Sequence, residues 1–349
     1  EREDALWYLY GNIWHQGTIY EATSFAVPFL IELLENPLPD KDKILVYLSN
    51  LASGHSYLDV HQNMSFYDGR RDKEEFDKEL NQELEWVRNS HEAVLQGCPV
   101  YRELLHDEEP SVRAASAYLL GIFSEKADEN LPVLKKHIKS EVNEMVLAAC
   151  VFAAGLLSGK RDEDWLKEIL NSPSPFSVCI AAAMGLARVM PEHMPGEGLE
   201  LLIEGTVNPG NAKDIFKKFP WDDSDVQTYC CELLALTGKK SEKVLPALIK
   251  AMDDVTPCES RVVVNAMLYR VFDGKAPGEN ITAEDLSKEQ KEALGAIAKS
   301  KNFWKGFDKG TVVCNVMDIM KSFGLPQRPE TLQAFLDGKI SQKDKEWNN

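Results

Sequence analysis

Residues 98–123 read CPVYRELLHDEEPSVRAASAYLLGIF, and this stretch decides the fold. Its apolar residues recur at helical spacing on both sides of a short polar break, and the second half is rich in alanine and ends in Leu-Leu-Gly-Ile-Phe. Small residues in a helix allow a neighbouring helix to approach closely. The stretch therefore predicts a hairpin of two packed helices.

The same pattern returns twice directly downstream. Residues 131–159 read LPVLKKHIKSEVNEMVLAACVFAAGLLSG, and residues 164–190 read DWLKEILNSPSPFSVCIAAAMGLARVM. A steady period of this length is the mark of stacked helical hairpins. The spacing is 33 residues from Pro99 to Pro132, 33 from Pro132 to Trp165 and 34 from Trp165 to Leu199.

Further copies occur at wider spacing. Residues 26–54 form an earlier copy and residues 244–274 a later one, while 198–209 pair with 222–238 across a spacer. About seven units can be counted in this way. Proline suits the first turn of a helix, where its missing N–H costs nothing, so we expect four prolines to begin first helices: Pro28, Pro99, Pro132 and Pro246. We expect three glycines near the ends of second helices: Gly121, Gly155 and Gly185.

Residues 107–121, DEEPSVRAASAYLLG, resemble the HEAT repeat, with an acidic turn followed by Val-Arg and an alanine-rich stretch. Residues 9–34, LYGNIWHQGTIYEATSFAVPFLIELL, are similar to the opening segment of uncharacterised bacterial HEAT-repeat proteins. The resemblance implies an all-α fold, a right-handed α-α superhelix of the HEAT-like solenoid class. It also implies that Asp107 and Arg113 link adjacent repeats in a polar ladder.

We expect one solenoid over residues 1–349, interrupted twice. Residues 54–95 are predicted to be an insertion made of a loop and a long helix, and insertions in repeat proteins often emerge on the binding face. Residues 273–290 are predicted to be a polar loop, in which Ser287 and Gln290 have the spacing of a capping box. Residues 310–337 are predicted to cap the C-terminal end of the array.

The charge is acidic and uneven. The chain carries 39 Lys and Arg against 56 Asp and Glu, a formal net charge of −17, and residues 1–95 hold 18 of the acids and 8 of the bases, a net charge of −10. Such a balance repels phosphate backbones, so nucleic acid is not an expected partner. An acidic field attracts basic proteins or cations, although it can also simply keep a long protein in solution.

The seven cysteines show no repeated C-x-x-C spacing, and most lie among Ala, Val and Leu, which favours a reducing, cytoplasmic compartment. The longest apolar run covers the 13 residues from Met145 to Leu157 and is shorter than the roughly 20 residues that a bilayer requires. We therefore expect no membrane association. Phosphate-binding glycine loops, nucleophile elbows and H-E-x-x-H are absent from the sequence, so no catalytic residues and no cofactor are predicted.

The main candidate site is residues 54–68, GHSYLDVHQNMSFYD. His55, Asp59 and His61 could converge on a divalent metal only if the backbone curled around it. The segment could equally be an irregular surface loop, or a protein-contact loop, since aromatic residues beside an acid are typical interface anchors. On the last interpretation we predict six partner-binding residues here: Tyr57, Asp59, His61, Phe66, Tyr67 and Asp68.

Residues 14–21, WHQGTIYE, form the second candidate, and Trp14 and His15 are included among the predicted partner-binding residues. A tight turn between the first two helices would explain Gly17, with Thr18 as the N-cap of the second helix. Trp14 and Tyr20 could instead be packing residues beneath such a turn. His15 and Glu21 could act as an acid and a base only within a cleft.

The leading functional hypothesis is a non-catalytic protein-binding scaffold, because stacked hairpins create an extended concave surface. The acidic N-terminal third and the insertion would engage a protein with a basic surface. The resemblance to bacterial HEAT-repeat proteins adds one specific version, an immunity-type antagonist of a basic toxin. Two alternatives stay open: an enzyme on a HEAT scaffold, similar to bilin lyases or DNA glycosylases, and a metal-dependent regulator that uses residues 54–68.

Overall fold

The computed structural model describes residues 2–62, 73–217, 219, 225–239, 241–278, 281–305 and 316–342. In these residues the chain forms 19 α-helices and one two-stranded sheet, which confirms the predicted all-α, HEAT-like class of stacked helical hairpins. The chain divides into two compact units. The first comprises residues 1–158 and 218–222, and the second comprises residues 159–217 and 223–349.

The first unit is a stack of helical hairpins in which the second helices of successive hairpins contact one another, α3 against α7 and α7 against α9. Its elements, besides a 3₁₀ turn at Ser124–Lys126, are α1 Arg2–Asn12, β1 Trp14–His15, β2 Thr18–Ile19, α2 Thr23–Leu34, α3 Lys41–Ala52, α4 Tyr57–His61, α5 Lys73–Leu95, α6 Cys98–Leu104, α7 Pro110–Gly121, α8 Ala127–Ile138 and α9 Glu144–Leu157.

Helix α9 shows why the second helices are so apolar. Its sequence EMVLAACVFAAGLL is buried at ten of 14 positions, because α7 and α8 both pack against it. Gly121 is the last residue of α7 and lies close to α9, so that a Cβ added there would lie 2.7 Å from the Cα of Ala153 in α9. The predicted role of Gly121, close packing of neighbouring helices, is confirmed.

Helix α5 is 23 residues long and packs against both helices of the first hairpin, α2 and α3. The Ser90 hydroxyl donates to the Leu51 carbonyl at 2.8 Å, and His91 Nδ1 lies 2.9 Å from the Ala52 carbonyl. Two carbonyls that the end of α3 leaves without a partner inside the helix are thus satisfied by side chains of α5. The buried side of α5 seals the first hairpin, and its other side is charged and faces solvent.

In the second unit α12 packs against α15 and α14 against α16, so that corresponding helices of successive hairpins again contact one another. Its helices, besides 3₁₀ turns at Lys160–Asp162, Pro191–His193 and Ala283–Asp285, are α10 Glu163–Leu170, α11 Phe176–Val189, α12 Gly196–Val207, α13 Ala212–Phe216, α14 Val226–Leu236, α15 Val244–Asp254, α16 Pro257–Val271, α17 Lys288–Lys299, α18 Val316–Ser322 and α19 Pro329–Leu336.

The capping box predicted before α17 is confirmed. The Ser287 hydroxyl accepts from the Gln290 amide at 3.2 Å, and the Gln290 side chain accepts from the Ser287 amide at 2.8 Å. These reciprocal bonds satisfy donors that a helix start leaves open. Two residues of the predicted polar loop, 279 and 280, and the first six residues of the predicted C-terminal cap, 310–315, lie outside the described residues.

Two of the proline predictions are wrong. Pro99 lies in the first turn of α6 and Pro246 in the first turn of α15, as expected, but Pro28 and Pro132 are the sixth residues of α2 and α8. Both helices begin five residues before the proline, at Thr23 and at Ala127, so each proline lies inside its helix. An interior proline removes one main-chain hydrogen bond, so these two helices form despite that loss.

Candidate functional site

The N-terminal candidate segment is a β-hairpin and not a simple turn between helices. Trp14 pairs with Ile19 and His15 with Thr18, and the two turn residues have positive φ angles, 51° at Gln16 and 88° at Gly17. Positive φ at both positions suits the twist of a two-residue hairpin. The prediction that Thr18 caps the second helix is therefore wrong, because Thr18 belongs to β2 and α2 begins at Thr23.

This hairpin is joined to the start of the second candidate segment. The Ile19 amide donates to the His55 carbonyl at 3.0 Å, and the His55 amide donates to the Gly17 carbonyl at 2.8 Å. The imidazole of His55 lies over Gly17, where a Cβ would be only 2.1 Å from its Cε1 atom. The two candidate segments thus form one surface, which no spacing in the sequence indicates.

Trp14 and His15 have different surroundings. Trp14 is half-buried and packs edge-on against Tyr10 at 5.3 Å between ring centroids. Its indole nitrogen is buried without a hydrogen-bond partner among the described residues, so it is not accessible as a donor to a bound protein. His15 is exposed. Trp14 is thus partly exposed and His15 fully on the surface, and contact of either residue with a partner stays a prediction.

Glu83 of α5 anchors the second candidate segment. One oxygen of its carboxylate accepts from the Ser56 hydroxyl at 2.7 Å and from the Leu58 amide at 2.9 Å. Ser56 in turn caps α4 by accepting from the Asp59 amide at 3.0 Å. A carboxylate at the start of a helix satisfies open N–H donors, so Glu83 holds α4 on the surface of α5.

Two of the three predicted partner-binding residues of α4, Tyr57 and Asp59, are exposed, and the third, His61, is half-buried. Tyr57 is 41% exposed and stacks with His61, with 4.2 Å between ring centroids. His61 Nδ1 lies 2.7 Å from the Tyr57 carbonyl, and Asp59 accepts from Gln62 at 3.0 Å. These contacts are local to α4, so the outer faces of the aromatic pair and of Asp59 stay accessible. The other three predicted residues, Phe66, Tyr67 and Asp68, lie outside the described residues.

The metal interpretation of residues 54–68 gains no support from the described part of this segment. The His55 ring lies against Gly17, whereas the His61 ring lies against its own helix. Within the described ranges, no group of three or more His, Cys, Asp and Glu side chains is arranged to hold a metal ion.

Asp107 and Arg113 link adjacent hairpins, as the resemblance implies. Arg113 donates to both carboxylate oxygens of Glu141 in the next hairpin, at 2.8 and 3.2 Å, and to the Asp107 carbonyl at 2.9 Å. The Asp107 carboxylate lies 3.6 Å from Lys41 in the preceding hairpin. The two residues therefore connect three consecutive hairpins, through Lys41 and Glu141.

The side chain of Glu141 is almost fully buried, and burial acts to raise its pKa. The hydrogen bonds from Arg113 and from the amides of Asn143 and Val142 outweigh burial and lower the pKa to about 2. His137, which lies 3.2 Å from the same carboxylate, has a lowered pKa because it is itself buried. Glu141 is thus ionised at neutral pH and neutralised by Arg113, which makes this cluster a structural joint between hairpins.

The buried cysteines of the described part of the chain are not activated nucleophiles. Five of the six described cysteines are buried free thiols, and Cys258 is exposed. Burial raises the pKa of each buried thiol, so these cysteines are not thiolates at neutral pH. The residues concerned are Cys98, Cys150, Cys179, Cys230 and Cys231.

Comparison with known proteins identifies the class of the repeat. Residues 98–127, which contain α6 and α7, match the family model of the HEAT repeat. HEAT repeats generally act as protein-interaction scaffolds and are typically non-catalytic. No curated protein matches the chain. None of the helices in the described ranges is long and apolar enough to cross a bilayer.

Sequence reasoning missed three charged residues that organise this region: Lys41, Glu83 and Glu141. Glu141 could have been found, because it lies 33 residues after Glu108 and so occupies an acidic turn position of the next repeat. Glu83 carried no such signal, since it is one of seven acids along α5. Only the packing of α4 on α5 distinguishes it from the others.

Proposed function

We propose that this chain is a protein-binding scaffold whose acidic N-terminal third engages a protein with a basic surface. The observation that carries the proposal is the exposed face of α4, with Tyr57 stacked on His61 beside Asp59. Aromatic side chains beside a charge supply both the apolar area and the direction that interface anchors need.

The charge around α4 supports the basic character of the partner. Helix α5, on which α4 is anchored, carries seven Asp and Glu against three Lys and Arg. Because the field of several like charges extends over about 10 Å at moderate ionic strength, it attracts a basic surface before contact is made. Five of these acids are exposed: Glu74, Glu75, Asp77, Glu85 and Glu92.

Salt-dependent capture with charge-reversal variants tests the proposal. The full chain is used as bait in lysate of its source cells, beside the variant Asp59→Lys/Glu85→Lys. A matched control, Glu168→Lys/Glu284→Lys, changes the net charge equally at exposed positions of the second unit. We expect a basic protein that is retained at low salt and lost at high salt, and that the first variant loses but the control retains.

Two results would contradict the proposal. Equal retention at high and low salt would show that acidic attraction does not drive recognition. Equal loss with both charge-reversal variants would show that only net charge matters and that the α4 surface has no special part in binding.

The immunity-type role is a narrower form of this proposal, supported by the acidic charge and by the resemblance to bacterial HEAT-repeat proteins. It requires a basic toxin as the partner, encoded beside this chain. Co-expression with such a neighbour should restore cell growth and should fail with Asp59→Lys/Glu85→Lys. If the neighbouring product is harmless or is not bound, the narrower role is wrong while the scaffold proposal stands.

A further inference from the structure

Helix α2 has two apolar faces, of which only one is covered. Val27, Leu30 and Leu34 are buried towards the rest of the first unit. On the other side Phe25 is 73% exposed, Phe29 is 69% exposed and Leu33 is 43% exposed. We call Phe25, Phe29 and Leu33 the α2 stripe.

The α2 stripe is a continuous row, because its residues are four apart and therefore lie one above the other on the helix. From Phe25 to Leu33 the helix rises by eight residue steps, which is about 12 Å along its axis. Single exposed apolar residues are common on protein surfaces, whereas a row of two phenylalanines and a leucine marks an interaction site. No described element of the chain covers this row, since all three side chains remain exposed in the folded unit.

The charges in the sequence on either side of the α2 stripe have a single sign. From residue 18 to residue 39 there is no Lys or Arg, whereas Glu21, Glu32 and Glu35 are all exposed. Glu32 is three residues after Phe29 and so lies on the same face of the helix. An occupant of the stripe therefore meets apolar rings in the middle and carboxylates at the margin.

A second copy of this chain does not fit that pattern. It would bring together two N-terminal thirds with a net charge of −10 each, and would place the same glutamates opposite one another. Like charges at an interface oppose association. A segment with apolar side chains along one side and Lys or Arg beside them satisfies both the rings and the carboxylates.

The backbone of α2 indicates the conformation of the occupant. Helical main-chain groups are bonded within the helix, so α2 offers no free edge to which an extended peptide could add as a strand. Recognition must come from side chains, and a row of residues spaced by four forms a ridge that packs into a groove of another helix.

We propose that the α2 stripe is the docking surface for an amphipathic helix of the partner, with Lys and Arg along the margins of its apolar face. The inference rests on the proposed function, because it concerns the same basic protein partner. It goes further by naming the residues that receive the partner and the kind of segment that binds.

The test uses a fluorescent synthetic helix of Leu and Lys with one apolar and one basic face, and a scrambled peptide of the same composition. Anisotropy is measured with the full chain, with Phe25→Ser/Phe29→Ser, and with the matched control Val142→Ser, a residue of the same unit that is 91% exposed. Because the replaced residues are exposed, we expect unchanged circular dichroism and Tm in all three proteins.

We expect the amphipathic peptide to bind more tightly than the scramble, and Phe25→Ser/Phe29→Ser to weaken it about tenfold while Val142→Ser does not. Equal binding of both peptides, or no loss in the double variant, overturns the inference. Self-association in light scattering that Phe25→Ser/Phe29→Ser abolishes also overturns it, in favour of a second copy. None of these outcomes changes the salt-sensitive capture of a basic partner that tests the proposed function. Loss of that capture would refute the proposed function, whatever the α2 stripe binds.

Discussion

Arg113 of α7 holds the Glu141 carboxylate with two hydrogen bonds, from Nε at 2.8 Å and from Nη2 at 3.2 Å, and so joins two successive hairpins. Both side chains are largely removed from solvent, with 15% and 4% of their areas exposed. A pair in this position is sensitive to the loss of either member, because the survivor remains buried with an uncompensated charge.

Replacing Arg113 tests this joint. We expect Arg113→Ala to lower the free energy of unfolding by about 3 kcal/mol, because the Glu141 carboxylate loses its cation. Arg88→Ala removes an exposed arginine of the same unit and should change stability little. Urea denaturation measures both variants. Equal stability of the two would show that the pair contributes no more than a surface charge.

Acid should weaken the same joint. A carboxyl group whose folded pKa is lowered from 4.5 to about 2 contributes stability that is complete above the unfolded pKa and is lost as the pH falls towards the folded one. The shift corresponds to roughly 3 kcal/mol. The unfolding free energy of Glu141→Gln should therefore fall less steeply with acid than that of the unaltered protein. Glu108→Gln, at an exposed position, should keep the original slope; parallel slopes for all three proteins would contradict the assignment.

Gly121 tests the close packing of α7 and α9. We expect Gly121→Ala to destabilise the protein by about 2 kcal/mol, since its Cβ would lie 2.7 Å from the Cα of Ala153 and main chain cannot rotate away. Gly295→Ala is the control, because Gly295 is helical with open space around it, and this change should stabilise by about 1 kcal/mol. Thermal denaturation should therefore shift in opposite directions, and a shift of the same sign in both would refute the packing argument.

Gly17 tests the junction of the two candidate segments. We expect Gly17→Ala to cost about 2 kcal/mol, because φ is 88° there and the new Cβ would meet the His55 ring. Adding His55→Ala should recover only part of the loss, since the backbone strain remains. Full recovery would show that the ring contact alone requires glycine, and an unchanged loss would show that the ring contact is irrelevant.

Glu83 tests how α4 is held in place. Glu83→Ala removes the acceptor of the Ser56 hydroxyl and the Leu58 amide, so we expect about fivefold faster hydrogen exchange in α4. If α4 contacts the partner, capture should weaken as well. Glu85→Ala removes an exposed acid of α5 and should leave exchange in α4 unchanged. Equal exchange in both variants would mean that Glu83 does not anchor the segment.

Much of the fold follows from local patterns. The period of the apolar residues predicted the hairpins, and Ser287 with Gln290 predicted the start of α17, because capping and helical spacing depend on residues only a few positions apart. Pro28 and Pro132 lie inside their helices and not in the first turn, because packing of the apolar face outweighs the cost of one interior proline.

The site was less predictable. Tyr57 is exposed and His61 is half-buried, and their contact with a partner stays a prediction. The short hairpin at Trp14–Ile19 follows from no pattern in the sequence. Strand residue Ile19 of this hairpin bonds to His55, which lies 36 residues further along the chain, and no periodic pattern relates the two positions. Phe25 and Phe29 belong to an apolar run that indicates burial, and nothing within the run distinguishes the covered side from the open one.

The sequence by itself determined the all-α hairpin repeat and the acidic N-terminal third, because helical periodicity and net charge are properties of neighbouring residues and of composition. Tertiary structure alone decided which acids are structural and which side chains stay exposed. Arg113 binds the Glu141 carboxylate, and the Glu83 carboxylate anchors α4 through Ser56. Phe25 remains exposed to solvent. Each of these facts depends on which surfaces meet when the helices stack, and burial and pairing are set only at that step.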